Sequence, residues 1–121
     1  MNKKILIVDD EPGIVRFLSL RLKAQCYEVF TAYDPLECVK IAVKETPNLI
    51  LLDIKMPNDG GIGAFEHLLQ IDSTKAIPVI FMTAFTTEEI KSKVVKMGTK
   101  DCISKPFISK DLEKTIELNI S

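Results

Sequence analysis

Three carboxylates, one hydroxyl and one amine stand at the ends of short apolar runs in this chain. Asp9 and Asp10 follow Lys4-Ile-Leu-Ile-Val8, and Asp53 follows Leu49-Ile-Leu-Leu52. Thr83 follows Ile77-Pro-Val-Ile-Phe-Met82, and Lys105 follows Asp101-Cys-Ile-Ser104. If the first and third runs are neighbouring strands, the three carboxylates converge. Like charges about 4 Å apart repel by on the order of 4 kcal/mol at an effective dielectric of about 20. A cation among them, or uptake of a proton, is then required. A set of few, all-oxygen donors suits Mg²⁺, which keeps several waters and shares its shell with phosphate, and Mn²⁺ can substitute for it. The chemistry implied is a divalent ion bridging carboxylates to a phosphoryl group.

Roles follow from residue type. Asp53 is the candidate nucleophile, because a carboxylate can form an aspartyl phosphate. Asp10 is the expected direct metal ligand, with Asp9 supporting it directly or through water. The backbone carbonyl of Lys55, two residues beyond Asp53, is a third oxygen for the ion. Thr83 offers a hydroxyl to one phosphoryl oxygen, and Lys105 a compact positive charge to another. Taken singly, each has an ordinary explanation as a turn residue, helix cap, surface hydroxyl or solvated charge. Those explanations do not account for their joint placement at four separate strand ends.

The elements that must position them are legible along the chain. Residues 49–52 are all large and apolar with no alternation, so the strand there needs both faces covered. Pro12 suits the first turn of a helix, whose apolar face is expected to be Ile14, Phe17, Leu18 and Leu22. Tyr27–Ala32 reads as a second strand. Asp34-Pro35 opens a second helix as cap and first residue, with Leu36, Val39 and Val43 recurring at helical spacing. Thr46-Pro47 ends it. After the loop Asn58-Asp-Gly-Gly61, a third helix carries Ile62, Phe65, Leu68 and Leu69. Thr86-Thr-Glu-Glu89 resembles a capping box for a fourth helix, closed by Gly98. Ser109 caps a fifth, carrying Leu112, Ile116 and Ile120. Five strands alternating with five helices make an α/β fold, a parallel sheet with helices on both faces. The expected topology is a flavodoxin-like three-layer (βα)5 sandwich of strand order 2-1-3-4-5, which sets strands one and three side by side.

Composition supports one domain over residues 1–121, with an apolar share of 46% and a formal charge of −1. That charge gives no reason to expect direct nucleic-acid contact or a membrane surface. No apolar run approaches the ~20 residues of a spanning helix, and the amino terminus lacks the pattern of a signal peptide. Cys26, Cys38 and Cys102 are odd in number and lack metal-ligand spacing, so they read as reduced thiols of a cytoplasmic protein.

Taken in order, Ile5-Leu-Ile-Val-Asp-Asp-Glu11, Leu51-Leu-Asp-Ile-Lys-Met-Pro57, Phe81-Met-Thr-Ala84 and Ser104-Lys-Pro-Phe107 resemble the motifs of the receiver domain of two-component response regulators, the CheY-like family. The resemblance covers essentially the whole chain. It implies a phosphorelay switch. A histidine kinase or histidine phosphotransfer protein presents a phosphohistidine, and Asp53 takes the phosphoryl group with Mg²⁺ in place. Slow self-dephosphorylation follows, and no separate substrate is turned over. The resemblance further implies that Thr83 moves toward the phosphoryl group, altering the face of helix four, strand five and helix five (α4-β5-α5), which meets an output domain or target protein. The domain is then a monomer, or a dimer on phosphorylation. The Lys105–Pro106 bond is expected to be cis.

This chain departs from the family pattern in four places. Cys102 stands where the strand-five switch residue is usually aromatic, so a ring-rotation readout cannot operate. Asn58-Asp-Gly-Gly61 replaces the usual Met-Asp-Gly, and Gly98-Thr-Lys replaces the commoner Gly-Ala. Lys55 and Phe85 occupy the two variable positions flanking the phosphoryl pocket, and the Phe85 ring either screens the phosphoryl group from water or packs outward against the fourth helix. Two other classes compete. A phosphatase of the haloacid-dehalogenase type needs a second Asp two residues after its nucleophile, where Lys55 stands. A pseudo-receiver that only binds partners would be expected to lack some of the acidic, Thr or Lys positions, all of which are present. A nucleotide-binding reading fails because no Gly-rich loop follows the first strand.

Overall fold

A computed structural model describes residues 2–56, 60–83, 92–93, 96, 98, 101–104 and 109–120; for Thr83, Asp101, Ser104 and residues 109–111 it describes the backbone alone. Five strands form one parallel sheet: β1 (Lys4–Val8), β2 (Glu28–Ala32), β3 (Leu49–Asp53), β4 (Val79–Thr83) and β5 (Asp101–Ser104), in the order β2-β1-β3-β4-β5. Helices α1 (Pro12–Ala24), α2 (Pro35–Glu45) and α3 (Gly60–Leu69) connect the first four strands, and a C-terminal helix spans Ser109–Asn119. The expected fourth helix falls largely outside the described residues.

Side chains alternate across the sheet and fill two separate cores. Leu6, Val8, Ile50, Leu52 and Phe81 project into one, beneath α2 and α3. Ile5, Ile7, Leu49, Leu51, Ile80 and Met82 project into the other, beneath α1 and the C-terminal helix. This is why β3 shows no alternation: all five of its residues are buried. Each of its four apolar side chains contributes about 1.5–3 kcal/mol relative to exposure, so β3 is a firmly held platform for the residue at its end. Phe65 of α3 meets Phe81 of β4 edge to face, with ring centroids 5.5 Å apart, tying α3 to the sheet beside that platform.

The crossover geometry explains which helix lies where. The chain moves outward from β1 to β2, then returns past β1 to β3. Right-handed crossovers therefore put α1 on one face and α2 and α3 on the other. The reversal opens a crevice between β1 and β3 at the carboxyl edge, the place where open α/β sheets bind ligands.

The starts of α1 at Pro12 and α2 at Pro35 follow the sequence, the C-terminal helix already includes Ser109 rather than being capped by it, and helix faces follow less closely. The Asp34 carboxylate accepts the Glu37 amide at 2.8 Å, and Glu37 Oε1 accepts the Tyr33 amide at 2.8 Å, a reciprocal cap. In α1, however, the buried residues are Val15, Leu18 and Leu22, while Phe17 is exposed. In α3, Gly60, Gly61 and Ala64 are buried with Phe65 and Leu68, while Leu69 is exposed. In α2 the buried pair is Cys38 and Ala42, whereas Leu36 and Val43 face solvent. In α2 and at the start of α3, small side chains let the helix lie close to the sheet, and there closeness rather than bulk selects the inner face.

Candidate functional site

Parallel pairing sets the strand ends in register. Val8 lies opposite Leu52, Asp53 opposite Met82, and Thr83 opposite Ser104. Asp9 and Asp53 therefore leave adjacent strands at one level. Beyond the strand ends the ladder continues for one more step, through Asp9 N–H to Ala32 O at 3.2 Å and Ile54 N–H to Met82 O at 3.0 Å. This fixes the backbone on either side of the crevice.

Each buried carboxylate is oriented by the amide two residues on. Asp9 Oδ1 accepts from Glu11 N–H at 3.0 Å, and Asp53 Oδ1 accepts from Lys55 N–H at 3.2 Å. Both are Asx-type turns, which aspartate forms readily. Asp9 is fully buried, Asp53 is 4% exposed and Asp10 is open to solvent. One carboxylate oxygen from each of the three lies within 4.8 Å of the others. At that separation each pair repels by about 3 kcal/mol at an effective dielectric of about 20, with the exposed Asp10 screened further. The donors are hard, anionic oxygens, few in number and open on the Asp10 side. They suit a small divalent cation that retains waters.

The loop that leaves Asp53 returns directly onto it. Gly61 N–H donates to Ile54 O at 3.0 Å, drawing the start of α3 against the strand end. Gly60 takes a left-handed conformation at φ +62°, and a Cβ there would come within 2.7 Å of Ile54 O. At Gly61 a Cβ would overlap the Asp53 carbonyl oxygen and lie 2.8 Å from its carbon. The glycine pair is therefore required for the approach of α3 to the acceptor. The sequence signal for this closeness to Asp53 is the Gly-Gly dipeptide a short loop after a strand-terminal aspartate.

The structure thus brings together Asp9, Asp10, Asp53 and the backbone of Lys55, whose side chain is exposed. The Thr83 backbone ends β4 beside them, while Phe85, Lys105 and Pro106 lie outside the described residues, as do Pro57, Asn58 and Asp59. Cys102 is half-buried against the α2–α3 core, opposite Phe81 in the ladder, and none of the three cysteines is in a disulfide. Burial and the nearby Asp34 carboxylate push the Cys38 thiol up to about 12. Among the described residues no helix is long and apolar enough to cross a membrane.

A doubly wound sheet with an acidic crevice at the switch between β1 and β3 defines a flavodoxin-like α/β domain with a candidate cation site. Residues 5–117 match the family model of the response regulator receiver domain. The chain is similar to the chemotaxis protein CheY4 of Vibrio cholerae, at 29% identity and a TM-score of 0.94, over 99% of this chain and 100% of that one. It also resembles the non-phosphorylated HemR receiver domain of Leptospira biflexa (27% identity, TM-score 0.89, 99% and 95% covered). The N-terminal domain of a response regulator receiver protein from Methanoculleus marisnigri is similar as well (31% identity, TM-score 0.80, 96% and 94% covered). The chain belongs to the response regulator receiver domain family, and so to two-component signalling.

Proposed function

We propose that residues 1–121 act as a phospho-accepting switch whose acceptor is Asp53. The observation that carries this reading is the convergence of Asp9, Asp10 and Asp53, oxygens within 4.8 Å, in a chain of the receiver family. A carboxylate oxygen of Asp53 attacks the phosphorus of a phosphohistidine in line. The new P–O bond forms as the P–N bond breaks, and the imidazole leaves neutral after taking a proton. β3, buried along its length, and the Lys55 amide hold the Asp53 carboxylate still for that attack, which is most of what phosphoryl transfer asks of a protein.

Asp9, Asp10, Asp53 and the Lys55 carbonyl would hold Mg²⁺. When bound, the ion supplies positive charge between the acidic cluster and the phosphoryl oxygens. Thr83 donates its hydroxyl to one phosphoryl oxygen, and Lys105 offsets charge on another. Phosphorylation then changes the face of the fourth helix, β5 and the C-terminal helix, which meets the output partner. With Cys102 in β5, that change travels without an aromatic rotation. The phosphodonor is a histidine kinase or phosphotransfer protein in the cytoplasm, and hydrolysis of the aspartyl phosphate resets the switch. Phe85 slows that reset by screening the phosphoryl group from water.

The test is incubation with a small acyl phosphate, with and without Mg²⁺. An acid-stable, hydroxylamine-labile adduct that needs the ion and disappears in Asp53→Asn supports the proposal. An adduct that survives Asp53→Asn refutes the assignment, and no adduct at all favours a pseudo-receiver. Excess turnover of the donor favours an enzyme.

A further inference from the structure

In the most regular apolar stripe of α2, Val39 packs against the core while Leu36 and Val43 do not. Leu36, Val39 and Val43 recur at helical spacing, yet Cys38 and Ala42 occupy the inner face. Leu36 is 66% exposed and Val43 44% exposed. Beside the stripe runs a groove of about 390 Å³, lined by Pro35, Leu36 and Val39 from α2 and by Gly63, Ala64 and His67 from α3, with the Asp34 cap at one end. Gly63 presents no side chain and Ala64 is buried behind it, so the α3 wall of the groove is a depression, whereas Leu36 on the α2 wall is a projection. An exposed apolar projection next to an apolar depression is a self-complementary surface.

The charges flanking the groove have the same property. Lys40 lies one turn beyond Leu36 on α2, Glu66 lies one turn beyond Gly63 on α3, and both are exposed. The two helices follow parallel strands on the same face of the sheet, so they run in nearly the same direction. A two-fold axis along the groove keeps that direction and exchanges the two walls. α2 of each copy then lies over α3 of the other. With Leu36 of one copy over Gly63 of the second, Lys40 arrives beside Glu66 of the second copy, and the same contact forms again across the axis.

We propose that the α2–α3 face is a homodimer interface, with Leu36 of each copy seated on Gly63 of the other and Lys40 paired with Glu66. This surface is separate from the acidic crevice and from the output face, and it does not depend on the proposed acceptor role of Asp53. The test is light scattering or sedimentation of the chain over a concentration series. The mass is expected to rise from 13.6 kDa toward twice that value, equally in Asp53→Asn. Leu36→Glu, at a position exposed enough to leave folding intact, should hold the mass at the monomer value throughout. Lys40→Glu and Glu66→Lys should each weaken association about tenfold, because each places two like-charge pairs across the axis. An equimolar mixture of the two variants restores both opposite-charge pairs and should recover association. A wild-type chain that stays monomeric, association that Leu36→Glu leaves unchanged, or a mixture that recovers nothing would each overturn the proposal.

Discussion

Replacing Gly61 by alanine should damage both the fold and the acceptor. The added methyl would overlap the Asp53 carbonyl oxygen, lie 2.8 Å from the carbonyl carbon and 3.1 Å from Ile54 Cα. All three are backbone atoms, so no rotamer relieves the contact. Either α3 moves off the strand end, losing the Gly61 N–H bond to Ile54 O, or the end of β3 moves. Overpacking of this kind costs about 1–3 kcal/mol, and the lost hydrogen bond about 1 kcal/mol more. A shift of about 1 Å in a reacting group costs on the order of 10²-fold in rate. Urea denaturation of Gly61→Ala should therefore show about 2–4 kcal/mol of lost stability, and acyl-phosphate labelling of the folded fraction should slow about 100-fold. Gly13 is the control. A Cβ there meets nothing within 4 Å, and alanine near the start of α1 should leave labelling intact while stabilising the helix by up to about 1 kcal/mol. A Gly61→Ala protein with wild-type stability and labelling rate would refute the steric argument.

Other consequences can be checked separately. Cys38 keeps its proton up to about 12 rather than the ordinary 9.0, first through burial and then through Asp34. Its contribution to stability is thus intact below about pH 9, where the unfolded thiol is also protonated. It is lost progressively as pH rises toward 12, by at most about 4 kcal/mol. Cys38→Ala should flatten that alkaline decline in denaturation curves, and in the native protein iodoacetamide should alkylate the exposed Cys26 while sparing Cys38. Thr74, almost fully buried, donates its hydroxyl to Leu68 O at 2.7 Å and so satisfies a carbonyl at the end of α3. Thr74→Val should cost about 1–2 kcal/mol in thermal or urea unfolding. Phe85→Ala should speed loss of the label from Asp53 without changing its formation, and an unchanged hydrolysis rate would remove the shielding role.

The sheet was legible because its signals are strong and local. β-branched runs ending in aspartate or threonine, the Asp34-Pro35 cap and the absence of alternation in Leu49–Leu52 all describe the observed elements. The convergence of Asp9, Asp10 and Asp53 followed from strand order alone, since adjacent parallel strands in register bring their ends to one level. Helix faces were harder to read. Periodicity weighs a leucine above an alanine, so Leu36 and Val43 looked like core and Cys38 and Ala42 did not. Close packing reverses that weighting, because a small residue lets the helix axis approach the sheet. The Asx turns at Asp9 and Asp53 were equally invisible, being bonds to backbone amides that every residue carries. The demand at Gly61 comes from a chain reversal in space, for which the sequence shows only two adjacent glycines.

The central claim is that Asp53 is the group that carries phosphate. It is tested most directly by labelling the chain from an acyl phosphate with Mg²⁺, reducing the acyl phosphate with borohydride, and sequencing the peptides by mass spectrometry. The account predicts that Asp53 alone is converted, with Asp9 and Asp10 untouched although their oxygens lie within 4.8 Å of the Asp53 carboxylate. Conversion at Asp9 or Asp10, or an unmodified Asp53 in a chain that has taken up phosphate, would contradict it.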